Sequence, residues 1–255
     1  MDANRFFGLD SSIVWSTALS VLRLVTGILV IAASSPVNAE LGPCRLDRNG
    51  SLICGEGLGA ARIIDGTISP SKRLAFAWHS DRRPTEEPDQ GSVESLLIRL
   101  SDGVPLWRAD GIYWNTETMH ANRYNEAAAW SPNSRFVVET TDVRWWTDTL
   151  RLFAIGANDK LLVLDLKAII EPAVRKHLPR IIKNGDFAVV GSADDERPHL
   201  TVDDHGLIKA LALVSLPKRE PYAAAAFEVV FQAFQKNGEL GAREVSIRRS
   251  RRMAP

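Results

Sequence analysis

Hydrophobic and polar residues alternate along most of this chain after its first forty residues. The runs "ARIIDGTI" (61–68), "RLAFAWHS" (73–80), "SLLIRL" (95–100) and "GIYWN" (111–115) are short and rich in β-branched and aromatic residues. Further runs are "RFVVETTDV" (135–143), "LRLFAI" (150–155), "KLLVLDL" (160–166) and "FAVVGS" (187–192). Each is bounded by Gly, Pro, Asn, Asp or Ser, the pattern of strands with one face on a core. "GLIKALALVSL" (206–216) predicts a longer strand, and "AAFEVVFQAFQ" (225–235) returns as "ELGAREVSIRR" (239–249) around Asn237-Gly238.

One segment breaks this period. In "DLKAIIEPAVRKHLPRII" (165–182), Leu166, Ile169, Ile170, Val174 and Leu178 recur at helical spacing. Pro172 predicts a kink or a new short helix there, and Pro179 a stop. The expected fold is therefore mainly β, as propeller-like blades or an open β-sandwich, with one helical insertion near 166–178. "RRPTEEPDQGS" (82–92) and "SADDERP" (192–198) read as surface loops.

Asn49-Gly50 predicts a hairpin inside "CRLDRNGSLIC" (44–54), which holds both cysteines. A two-residue loop would set Cys44 opposite Gly55. A three-residue loop, Arg48-Asn49-Gly50, pairs Asp47 with Ser51 and sets Leu46 against Leu52 and Cys44 against Cys54. Both of these are then non-hydrogen-bonded pairs, about 4.5 Å apart at Cα, within disulfide reach. The second register predicts a Cys44–Cys54 disulfide.

A disulfide implies an oxidising compartment, and the N-terminus supplies a route to one. Arg5 and Arg23 precede the apolar "LVTGILVIAA" (24–33), followed by Ser34, Ser35, Pro36 and a small-residue site ending at Ala39. That order predicts a signal peptide over 1–39 and a single β-rich domain over 40–255, periplasmic or secreted. The alternative is an uncleaved N-terminal anchor, with Arg23 interrupting it.

Formal net charge is zero, which removes a global attraction to nucleic acid. After the signal no apolar run is long enough to span a membrane. Two cysteines are too few for a zinc site of the usual kind, and there is no glycine-rich phosphate loop, so no cofactor is expected. The end, "REVSIRRSRRMAP" (243–255), reads as a basic C-terminal tail.

A phrase recurs. "ISPSKRLAFAW" (68–78) and "WSPNSRFVVET" (130–140) are close copies, and "TVDDHGLIKAL" (201–211) is a degraded third. The first two resemble the "W-S-P-D-G-R" phrase of TolB-like (WD-like) β-propeller blades, where it turns one blade strand into the next. The resemblance implies that Trp130 is a core residue between blades and that Ser131-Pro132-Asn133-Ser134 is the turn. The spacing departs from the family: 62 residues separate Ser69 from Ser131, and 71 separate Ser131 from Val202. A propeller blade takes about 40–45.

Tryptophan marks the candidate binding residues. Trp78, Trp107, Trp114, Trp130, Trp145 and Trp146 fall close together, with Asn115, Arg144 and Asp148 beside them. Trp78 and Trp130 lie at inward positions. Trp145 and Trp146 are neighbours on a strand, so one points outward. Trp114, Arg144, Trp145 and Trp146 form the candidate platform for a glycan or other ligand. His199, Asp203, Asp204 and His205 could be a metal set, but Asp-Asp in a turn bonds its own backbone. Glu86-Glu87 and Asp194-Asp195 are adjacent carboxylates in polar loops.

No nucleophile elbow or HExxH motif is present. The leading expectation is an exported, non-catalytic β-domain binding a protein or glycan in the cell envelope. A glycan-directed hydrolase with loop carboxylates, or a structural envelope component, are the alternatives.

Overall fold

The computed structural model describes residues 41–48, 50–80, 93–110, 125–143, 146–190, 199–216 and 223–250. The signal segment 1–39, the strand expected at 111–115, both surface loops, Trp114, Arg144, Trp145 and residues 251–255 lie outside the described residues.

Three antiparallel sheets follow one another along the chain. The first holds β1 (Cys44–Leu46), β2 (Leu52–Cys54), β3 (Ala61–Ile63), β4 (Leu74–Ser80), β5 (Val93–Arg99) and β6 (Val104–Asp110), each paired with the next. The second holds β7 (Asn125–Trp130), β8 (Phe136–Val143), β9 (Trp146–Ile155) and β10 (Leu161–Asp165), again in chain order. The helix α1 (Lys167–Arg175) leads to β11 (Asp186–Val189), β12 (Thr201–Val202), β13 (Leu207–Leu216), β14 (Ala223–Lys236) and β15 (Glu239–Arg249), the third sheet. Both β11 and β12 pair with β13. The fold is mainly β with one α-helix among the described residues, as the alternation predicts.

The N-terminal hairpin takes the three-residue register. Cys44 stands opposite Cys54 and Leu46 opposite Leu52, and the Asp47 N–H donates to the Ser51 carbonyl. Gly50 has φ 81° and the cysteines form a disulfide with Cα atoms 3.9 Å apart. The Cys44 N–H donates to the Leu100 carbonyl, folding the hairpin back over sheet 1. Cys44, Leu52 and Cys54 thereby join Ala75, Ala77, Leu96 and Ile98 in a small core on the outer face of that sheet.

Two expectations need correction. The strand over 61–68 stops at Ile63, because Asp65-Gly66 makes a turn in which Thr67 Oγ1 bonds the carbonyls of Ile64 and Phe76. Helix α1 runs through Pro172 and ends at Arg175, short of the expected stop at Pro179; a 3-10 turn follows at Arg180–Ile182. The strand expected over 239–249 is found within the basic end: β15 pairs with β14 along its length, and the Ser250 N–H donates to the Ala226 carbonyl. Strand β6 had no counterpart in the alternation, since Pro105 and Arg108 interrupt it.

The three copies of the repeated phrase fold into the same turn, each at the same place in its sheet. Ser69 follows β3, Ser131 follows β7 and Asp203 follows β12. In each, the leading N–H closes the turn onto Leu74, Phe136 or Leu207 (2.8, 2.9 and 3.1 Å). The leading side chain accepts two backbone N–H groups: Ser69 Oγ from Arg73 and Leu74, Ser131 Oγ from Arg135 and Phe136, Asp203 Oδ1 from His205 and Leu207. The third residue after each leader, Lys72, Ser134 or Gly206, has positive φ (54°, 61° and 77°). The turns are also bonded in series. Ser71 N–H donates to Ser134 Oγ at 3.0 Å, and Asn133 N–H to Asp204 Oδ1 at 2.8 Å. Each sheet is thus a four-strand meander hung from an equivalent turn, with β1–β2 and β11 added.

Sheet 2 is the middle layer. Its Val138, Leu150, Leu152 and Ala154 pack with α1 and the Ile208–Val214 face of β13. Its Val137, Phe153 and Ile155 pack on Leu74, Phe76, Trp78 and Leu97 of sheet 1. Trp130 packs against this second core and its indole N–H donates to the Thr67 carbonyl at 2.7 Å, so it ties the two sheets.

Candidate functional site

The polar end of the sheet 1–sheet 2 contact is where alternation puts charge inside. On β8, Val137, Glu139 and Thr141 share a face; on β7, Glu126 and Ala128 share it; on β9, Thr149, Arg151 and Phe153 do. Strand pairing sets Glu126 opposite Thr141 and Glu139 opposite Arg151. Both carboxylates therefore point at sheet 1, and both are buried, Glu126 at 3% and Glu139 at 0% exposure.

Their partners differ. Glu139 accepts from Thr141 Oγ1 (2.8 Å) and Thr149 Oγ1 (3.2 Å), and faces Arg151 Nη1 at 3.3 and 3.4 Å. Glu126 Oε2 accepts from Ser95 Oγ of sheet 1 at 2.5 Å, and its Oε1 has no partner. Burial pushes Glu126 well above the usual carboxylate range, and the neighbouring Glu139 charge adds to this. Burial also raises Glu139, opposed by Arg151 and the threonine hydroxyls. Burial holds a proton on Glu126 more firmly than on Glu139, whose charge is favoured by the guanidinium and the threonine hydroxyls. On the opposite face of β8, burial raises Asp142 to about 6, against a hydrogen bond from Thr147.

Arg151 joins this buried set to a surface cleft of about 720 Å³. Its guanidinium lies over the Trp107 ring, 5.0 Å from the centroid, and Trp107 meets Phe153 edge to face at 5.0 Å. The cleft runs between β9, β10 and α1, with Val163, Ala168 and Pro172 as apolar lining. The turn from β10 into α1 shapes it. Asp165 Oδ1 accepts the Ala168 N–H at 3.1 Å, and the Leu166 N–H continues the sheet by donating to Leu150. Pro172 has no N–H to donate to the Ala168 carbonyl. Arg175 binds Glu171 and the carbonyls of Lys183 and Gly185, pinning the segment after α1. Lys167 Nζ donates to the Asp148 carbonyl at 3.0 Å. Five cationic side chains (Arg151, Lys167, Arg175, Lys176 and Lys183) face three carboxylates (Asp148, Asp165 and Glu171).

The expected tryptophan platform is only partly in view. Trp146 is 39% exposed, as an outward member of the pair must be, and it does not line the cleft. Trp107 does. Asp203 and Asp204 spend their oxygens on the turn bonds given above, and no group of three or more metal-ligating side chains is present among the described residues. The buried acids and Arg151 were missed. Their signal was an acid and a base at inward parity on adjacent strands.

Comparison with family models, with curated proteins and with solved structures finds no match to this chain.

Proposed function

We propose that this chain is an exported, non-catalytic binding domain of the cell envelope, built from propeller-like blades, whose cleft between sheet 2 and α1 takes a glycan. The observation that carries this reading is the cleft. A concave site of this volume suits a small molecule or a few sugar units, with an apolar lining and a polar rim, and a partner protein would use a flatter and larger surface. Three further features support it. The repeated turns hang successive meanders side by side, as propeller blades do. The hairpin disulfide fits an oxidising compartment. Two of the cleft carboxylates are committed elsewhere, Asp165 to the Ala168 N–H and Glu171 to Arg175, which weighs against the hydrolase reading.

A glycan array read by tryptophan fluorescence tests the function. Val163 is an exposed strand residue of the cleft lining, so Val163→Trp fills the cleft without touching either core. Binding by the parent chain that is lost in Val163→Trp is the expected result. Equal binding by both, or none by either, sinks the reading.

A further inference from the structure

Arg151 is held as an anion receptor is held. Its one carboxylate partner among the described residues, Glu139, is engaged through Nη1 alone and at 3.3–3.4 Å, while two threonine hydroxyls share Glu139 Oε1. Nε and Nη2 make no hydrogen bond to a described residue. The guanidinium carbon sits over the Trp107 ring, 5.0 Å from its centroid, and the side chain keeps 22% exposure at the cleft. A planar cation with free donors, immobilised on an indole, is preorganised for a two-oxygen acceptor. The same contact covers a Trp107 face, so stacking of a neutral sugar on that face is blocked. Lys176 and Lys183 are exposed at the cleft and extend the positive surplus outward from Arg151.

We propose that the cleft selects a ligand carrying an oxyanion, a carboxylate or a phosphate on a sugar-sized body, received by the Nε/Nη2 edge of Arg151 with Lys176 and Lys183 drawing it in. This rests on the binding reading above and names the chemistry of its ligand. Glu139 is a positioning residue: it orients Arg151 from below and does not meet the ligand.

Calorimetric titration with glucuronate, glucose 6-phosphate and glucose, at low and at 0.5 M salt, tests it. The two anionic sugars separate carboxylate from phosphate as the source, and glucose is the neutral control. Binding of at least one anionic sugar, weakened by salt, with none by glucose, is expected. Arg151→Lys keeps the charge but loses the planar fork, and binding should fall by about tenfold. Lys176→Ala/Lys183→Ala leaves the buried set intact and guards against a folding defect in the first variant; it should reduce both affinity and salt dependence. Glucose binding as tightly as the acids, no binding by either acid, or affinities unchanged in both variants would overturn the proposal. If array glycans that are neutral still bind and Val163→Trp abolishes them, the binding reading stands and the anion inference alone falls.

Discussion

The two faces of sheet 2 are built on opposite terms. Toward sheet 3 it offers Val138, Leu150, Leu152 and Ala154 to an aliphatic core closed by α1. Toward sheet 1 it offers aromatics at one end and, at the other, two buried acids and one arginine. Apart from Asp142, which burial raises to about 6, the aliphatic face is stabilised by area removed from water, which changes little with pH. The mixed face carries charge in a poor solvent, so its contribution depends on where two protons sit. The difference teaches which contact can respond to conditions. It also places the responsive one directly behind the cleft, because Arg151 belongs to both.

The largest expected effect compares adjacent residues of β9. Arg151→Met leaves Glu139 buried without its counter-charge and should cost about 3–5 kcal/mol at pH 8. Leu152→Ala opens a cavity on the other face and should cost about 2–5 kcal/mol. Their pH dependence separates them. In Arg151→Met the loss should shrink at pH 5, as Glu139 takes up a proton; in Leu152→Ala it should be the same at both. Denaturant unfolding at the two pH values reads this, and equal losses at both for Arg151→Met would erase the distinction between the faces.

A smaller effect follows from Glu126. Its folded-state pKa is raised, so the native state binds the proton more tightly than the unfolded chain does. Stability from this group is therefore highest at low pH and falls as pH rises through the folded value. Asp142 acts in the same sense lower down, from its ordinary carboxylate value to about 6. Glu126→Gln keeps an acceptor for Ser95 Oγ and has no proton to lose. Its stability relative to the parent should rise steadily above neutral pH. A parent chain whose unfolding free energy is flat from pH 6 to 9, with Glu126→Gln parallel to it, would contradict a neutral buried Glu126.

Much of the fold was legible because each strand needs only period two and a turn. Asn-Gly leaves two registers for the cysteine hairpin, and the one that also aligns Leu46 with Leu52 and Cys44 with Cys54 is the one found. Most strand ends came within a few residues, and α1 kept its buried stripe of Leu166, Ile170 and Val174. At Pro172 the missing N–H predicts a kink or a new short helix, yet α1 runs through it. The site was less legible. Glu126, Glu139 and Arg151 lie on three strands within 26 residues, but only pairing brings them together. Nothing local says that the face they share is covered by Ser95 and Trp107 of another sheet. Trp107 stood out only as one tryptophan among several, since its role depends on an arginine 44 positions away.

The smallest expected effect returns to the repeated turn. The left-handed position is filled by Lys72 in sheet 1, Ser134 in sheet 2 and Gly206 in sheet 3. At Gly206 a Cβ would come within 2.9 Å of Ala233 as well as sitting at positive φ, so glycine is required twice over. Lys72 is exposed, and its only visible cost is the left-handed backbone. Lys72→Gly should therefore stabilise the chain by about 0.5–1 kcal/mol, the relief of strain less the entropy that glycine gives up. Ser134→Gly relieves the same strain but removes the acceptor for Ser71 N–H that bonds the first turn to the second, and should gain nothing. The pair is read from thermal midpoints at one pH. If Ser134→Gly stabilised as much as Lys72→Gly, the Ser71–Ser134 bond between the first two turns would carry no energy, and those two meanders would be held together by their core and the Trp130–Thr67 tie.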